Sequence, residues 1–171
     1  LGCFSILGFF AEQATAAPIL GSDIQGTYLN PNQSTVANGP ITATVGAGVE
    51  FQNNLLTFAF PSGSFNIDVS NTSIRLELVE TPPNNASQIS QGFFAFFASF
   101  NGIRLFDVNS TIDAFTSVTI DPATNVAGFD ATRVTFTDDE IFIDLKGLTF
   151  TTGLGLNDPG TALILLNLTL D

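Results

Sequence analysis

The sequence predicts an all-β chain, an antiparallel β-sandwich or flattened barrel of about ten strands with an apolar N-terminal arm. Three observations predict it. Apolar residues recur at every second position in run after run, as where Ile141, Ile143 and Leu145 alternate with Phe142, Asp144 and Lys146. The runs are short and are separated by Gly, Pro, Asn and Asp at hairpin-like spacing. No segment of helical length repeats its apolar residues every three to four positions.

Residues 1–17 open the chain and residues 18–171 read as one all-β domain. LGCFSILGFF is apolar and uncharged, and Ala14-Thr15-Ala16 in the following AEQATAAP fits the small-x-small site of a signal peptidase. About ten apolar residues fall short of the ~20 needed to span a membrane as a helix. An arm that stays on the protein must bury Leu1, Phe4, Ile6, Leu7, Phe9 and Phe10. It can do so on its own domain, or as a strand added to a neighbouring subunit's sheet.

ITATVGAGVEF, Ile41–Phe51, reads as one long strand in which Gly46 and Gly48 mark a bulge or a close approach. Leu55–Phe60 is a second strand, ended by Pro61 and Gly63. Ser64–Val79 is a hairpin, with Phe65, Ile67 and Val69 on one arm, Ile74, Leu76 and Leu78 on the other, and Asn71-Thr72 between them. Thr81–Gln91 is a loop, because Pro82-Pro83 and Asn84-Asn85 exclude a strand, with room for one helical turn at Ala86–Gln91.

Gly92–Phe100 holds five of the eighteen phenylalanines and suits a strand buried on both faces or at a subunit contact, with Phe93, Phe94, Phe96 and Phe97 as the contact residues. Asn101-Gly102 is read as a hairpin turn into the strand Ile103–Val108. Phe115–Ile120 follows, closed by Asp121-Pro122. Ala127–Phe150 then reads strand, acidic turn, strand, Gly turn, strand, and Thr161–Leu170 is the last strand. Lys and Pro are scarce within these runs, so edge protection by those devices is weak, which favours a closed barrel or edge-to-edge assembly.

Composition excludes several functions. A chain of 171 residues can bury roughly 70% of its unfolded surface in one core. Charged residues are 12%, half the usual share of about a quarter, so Ser, Thr, Asn and Gln must supply the polar surface. Four basic and sixteen acidic residues give a net charge of −12, which repels nucleic acid and leaves no basic patch for anionic lipid. There is no His, so no imidazole base or Ser-His-Asp triad. Cys3 alone closes no intrachain disulfide, and a structural zinc site lacks its thiolates and imidazoles.

Acidic residues gather at turns. Asp138, Asp139 and Glu140 with Asp130 are the candidate calcium ligands, since calcium takes several loop oxygens. Their spacing matches no EF-hand or nonapeptide repeat, and solvated turn residues are the competing reading. Five Asn-x-Ser/Thr sequons begin at Asn32, Asn71, Asn85, Asn109 and Asn167, of which Asn71 and Asn85 sit in predicted turns. A carboxylate pair for glycoside hydrolysis is formally open, but Tyr28 is the only Tyr and there is no Trp to flank it. No catalytic residue is assigned, and no cofactor is expected beyond candidate calcium.

Three blocks, Ile41–Phe51, Phe65–Leu78 and Phe100–Phe150, together resemble bacterial exported proteins that carry a PEP-CTERM sorting signal. The most specific pieces are Phe100-Asn101-Gly102, Asp121-Pro122-Ala123-Thr124 and Gly128-Phe129-Asp130 through Val134-Thr135-Phe136. The resemblance implies export and then release or surface attachment in bacteria that make exopolysaccharide, with no enzymatic activity. No Pro-Glu-Pro, apolar span or Arg cluster precedes Asp171, so a secreted or assembled form is expected rather than attachment through such a tail. The expected function is a non-enzymatic exported subunit that self-associates into a surface layer, matrix or filament. The alternative is an extracellular polysaccharide-binding module assisted by calcium.

Overall fold

Alternation along each strand gives one apolar face, and two such faces can be hidden only against each other. The computed structural model describes residues 18–59, 62–80, 90–92, 98–151 and 162–171. In chain order the strands are β1 (Asp23–Leu29), β2 (Val36–Thr44), β3 (Phe51–Ala59), β4 (Ser62–Val69), β5 (Ser73–Glu80) and β6 (Ser90–Gly92). They continue with β7 (Gly102–Asp107), β8 (Phe115–Ile120), β9 (Val134–Phe136), β10 (Glu140–Asp144), β11 (Thr149–Thr151) and β12 (Leu163–Leu170). A three-residue 3-10 turn, Ala131–Arg133, precedes β9.

One five-stranded sheet runs β2-β1-β7-β10-β9, a second runs β3-β4-β5-β12-β8, and β11 pairs with β6. All pairings are antiparallel. The two large sheets are open at their edges, so of the two expected forms the described residues take the sandwich. Ile24, Ile103, Leu105, Ile141 and Ile143 of the first sheet share one core with Phe65, Ile67, Ile74, Leu76, Ile164 and Leu166 of the second. Burying each such side chain stabilises the fold by roughly 1.5–3 kcal/mol.

The Phe65/Ile67/Val69 against Ile74/Leu76/Leu78 hairpin stands as read, as β4 and β5 in the register Ile67↔Leu76. The acidic-turn hairpin stands too, as β9 and β10 paired Ile143↔Val134. Its buried face comes from Ile141, Ile143 and Leu145, while Phe136 is 39% exposed.

Four readings change. Ile41–Phe51 is two strands in different sheets, because β2 ends at Thr44 and β3 begins at Phe51. The Glu50 carboxylate makes the corner: Oε1 accepts the Gly46 N–H at 2.9 Å and Oε2 the Val69 N–H at 2.7 Å. Asn101-Gly102 is not a hairpin turn, since Gly102 begins β7 in the middle of its sheet and Asn101 is buried. The run to Phe100 is not one strand: Gly92 pairs with Thr149 in β6, and residues 98–100 form no strand. Ser90 and Gln91 are extended in β6, which removes the last residues of the helical turn at Ala86–Gln91; residues 86–89 lie outside the described residues, as do 93–97. β1 and the first half of β2, Val36–Pro40, lie before the first run that the alternation marks.

Asp107 shows what many of the turn acids do. It is 2% exposed, and its two carboxylate oxygens accept the N–H groups of Asn109 at 3.2 Å and Ile112 at 2.8 Å, closing the loop after β7. Such bonds satisfy backbone donors that would otherwise be buried without a partner.

Candidate functional site

Four segments converge at the end of the first sheet where β1 stops, β7 starts, β10 stops and β9 starts. The pairings Leu29↔Gly102 and Asp144↔Gly102 fix that line across three strands. The loop after β1 folds on itself, with Asn32 Oδ1 accepting from Ser34 N at 2.9 Å and from Thr35 Oγ1 at 3.1 Å. It is tied to the segment before β7, because Pro31 O accepts both the Ser99 and Phe100 N–H groups, at 2.8 and 3.1 Å. Tyr28 OH donates to Asn101 Oδ1 at 2.8 Å, and Asn101 N–H donates to Asp144 Oδ1 at 3.1 Å. Burial pushes the Tyr28 phenol above its ordinary pKa, against the opposing effect of its hydrogen bonds to Asn30 and Asn101.

These contacts frame an open polar cleft of about 420 Å3, lined by Asn32, Gln33, Ser99, Thr132, Thr135, Arg133, Asp144 and the edge of Phe100. Phe100 is 5% exposed and packs edge-on against Phe142 at 6.3 Å, so it is wall rather than a stacking platform. Arg133 is fixed by backbone carbonyls: Nε donates to Gly128 O and Nη1 to Lys146 O, both at 2.8 Å. Asp144 Oδ1 also accepts the Lys146 N–H at 2.9 Å. The arginine and the carboxylate are thus held rigidly, as a binding site requires. Arg75 and Arg104 pair with Glu77 and Glu140, whereas Arg133 forms no salt bridge among the described residues.

The candidate calcium ligands are dispersed. Asp130 caps the 3-10 turn, with Oδ1 accepting from Thr132 N at 2.9 Å and Thr132 Oγ1 at 2.5 Å. Asp138 and Asp139 are exposed in the β9–β10 turn, and their carbonyls accept the Phe115 and Asp107 N–H groups. Glu140 is the ion-pair partner of Arg104, whose guanidinium lies 4.8 Å from the centre of the Phe106 ring. Among the described residues no three Asp, Glu, His or Cys side chains are grouped to hold a metal ion. The candidate self-association residues Leu1, Phe4, Ile6, Leu7, Phe9, Phe10, Phe93, Phe94, Phe96 and Phe97 lie outside the described residues.

Two of the turn acids set a pH dependence. Donation from the Thr132 hydroxyl and then the Thr132 N–H lowers the pKa of Asp130, and donation from the Ala123 N–H and then Asn167 lowers that of Asp121. A carboxyl lowered in the fold contributes stability that is present above its unfolded pKa of about 3.9 and is lost as pH falls through the folded value. Melting temperature is therefore expected to fall on acidification below about pH 4, and to fall less in an Asp121→Asn/Asp130→Asn double variant. Equal pH slopes for the two proteins would show that these carboxylates do not contribute.

Of the cleft residues, the sequence marks Asn32 as a sequon, Asp144 as a polar position alternating with Ile141, Ile143 and Leu145, and Phe100 and Thr135 within the resemblance, but none of them as lining a site. Among the described residues no helix is long and apolar enough to cross a membrane. Compared with known proteins, the chain matches no family model, no curated protein and no solved structure.

Proposed function

We propose that this chain is a non-enzymatic exported bacterial protein that self-associates into a surface layer, matrix or filament. The observation that carries the reading is the contrast between its sheet edges. Edges that must stay single are blunted by shortness, Pro or irregular register. The β2 edge contains Pro40, β9 is three residues long, and β3 loses register between Gln52 and Thr57. The remaining edge of the two large sheets, β8, is FTSVTI, uncharged and free of Pro; its first residue, Phe115, is tied to Asp138 O of the β9–β10 turn, and the strand is regular against β12 from Ser117 to Ile120. Asp121 N–H donates to Leu165 O, so at antiparallel spacing Ser117 and Thr119 face β12 while Val118 and Ile120 turn their backbone groups to the open side. A second copy can pair there. An uncharged strand brings few like charges together even in a protein of net charge −12.

The resemblance to PEP-CTERM-bearing proteins supports export. Val118→Pro removes one outward N–H without touching the β12 ladder, and deletion of residues 1–10 removes the apolar arm. Sedimentation velocity is expected to show a wild-type assembly that shrinks toward the monomer in Val118→Pro, with circular dichroism unchanged. An unchanged size in both variants overturns self-association.

A second reading, an extracellular polysaccharide-binding module, is favoured by the polar cleft beside Arg133 and Asp144. Binding of soluble polysaccharide with and without a calcium chelator tests it. Loss of binding in chelator would show calcium assistance.

A further inference from the structure

We infer that the cleft between the β1–β2 loop and β9 is a binding site for a neutral, polyhydroxylated ligand, a short stretch of uncharged glycan, which rests on the second reading and narrows it. Its polar groups are unspent. Gln33, the Thr135 hydroxyl, Arg133 Nη2 and Asp144 Oδ2 make no hydrogen bond among the described residues, while Arg133 and Asp144 are held through their other atoms and Thr135 by its pairing with Phe142. Amide and hydroxyl groups both donate and accept, Arg133 Nη2 donates only and Asp144 Oδ2 accepts only. Hydroxyl groups, each donor and acceptor at once, satisfy all of these together, and a run of them on a sugar does so without bringing a charge.

Charge excludes the neighbouring classes. An anionic ligand would meet Arg133 favourably, but it would meet the Asp144 carboxylate in the same cleft, Asp130 beside it and a net charge of −12 around it. A cation would meet the Arg133 guanidinium, and among the described residues no group of three carboxylates stands ready to hold a metal ion against it. An apolar ligand would desolvate the amides and the ion-bearing groups without replacing their hydrogen bonds. Phe100, 5% exposed, offers no open ring face for stacking, so affinity must come from hydrogen bonds and is expected to be modest.

The test titrates neutral gluco-oligosaccharides and, separately, oligogalacturonate into the full chain, with binding followed by NMR shifts and calorimetry. Two variants accompany the wild type. Gln33→Ala/Thr135→Val removes exposed groups that make no bond within the fold, and Asp144→Asn keeps the acceptor used by Asn101 and Lys146 while removing the charge. Neutral oligosaccharide is expected to bind, with the double variant weakened about tenfold, the loss of two neutral hydrogen bonds. Undiminished neutral binding in both variants overturns the site while leaving the polysaccharide reading in place. Preference for oligogalacturonate overturns the ligand class. No binding of either oligosaccharide or of intact polysaccharide overturns the reading and the site together.

Discussion

Gly102→Ala is expected to lower stability by about 3 kcal/mol or more, and to leave much of the protein unfolded at 37 °C. A Cβ built on Gly102 would lie 1.9 Å from Ile143 O, 2.9 Å from Ile143 C and 3.1 Å from Asp144 Cα. All three contacts are backbone, so no side-chain rotation relieves them. Nor can β7 retreat, because Gly102 is paired on its other side with Leu29 of β1. Overpacking a core with a flexible neighbour typically costs about 1–3 kcal/mol, and a clash against a central strand's backbone exceeds that range. Gly48→Ala is the control. Its added Cβ meets nothing within 4 Å, and a change near zero, within about 0.5 kcal/mol, is expected. Urea unfolding followed by far-ultraviolet circular dichroism measures both. Equal midpoints for the two variants would mean that β7 and β10 do not approach as closely as the register requires.

The same residue explains why part of the fold was hidden in the sequence. Asn-Gly is the commonest two-residue hairpin signal because both residues tolerate a positive φ. Here Gly102 does not adopt that conformation; it is small because the next strand's backbone needs the space, and residue type alone does not separate the two causes. β1 was missed for a related reason. Its sequence, DIQGTYL, places Gly26 and Thr27 where an apolar alternation would be sought, although both are buried. By contrast, β4 and β5 are legible because each points three large apolar residues at one face, and β10 because Ile141 and Ile143 continue the same alternation into Leu145 just beyond it.

The site was less legible than the fold. Glu140 reads as a turn acid grouped with Asp138 and Asp139, yet its partner is Arg104, 36 residues earlier and one strand away. Pairing across strands depends on register, and register appears only once β7 and β10 are docked. The cleft is more remote still: its walls come from residues near 32, 99, 133 and 144, brought together only where several strands begin or end at one end of the sheet. No local pattern announces such a convergence. What could have pointed to it is charge, since Arg133 is one of only four basic residues in a strongly acidic chain.

Phe51→Ala is expected to cost about 3–5 kcal/mol, the usual range for deleting a fully buried phenyl ring. The more informative experiment couples it to Gly26. Phe51 opens β3 in the second sheet, and Gly26 sits in β1 of the first. A Cβ on Gly26 would meet Leu55 Cδ2 at 2.6 Å and the Phe51 ring at 2.9 and 3.0 Å, so the ring occupies the space that the glycine leaves open. Gly26→Ala alone is therefore expected to cost about 1–3 kcal/mol as overpacking. In the Phe51→Ala background the ring is gone, and the added methyl enters the vacated space instead of striking it. Gly26→Ala should then cost less, with a coupling energy of about 0.5–3 kcal/mol between residues of opposite sheets. The Leu55 contact remains in the double variant, so the coupling is expected to relieve part of the strain and not all of it. Additive costs would mean that the two sheets do not meet face to face at this point, which would undo the sandwich itself and, with it, the placement of the β8 edge and of the cleft.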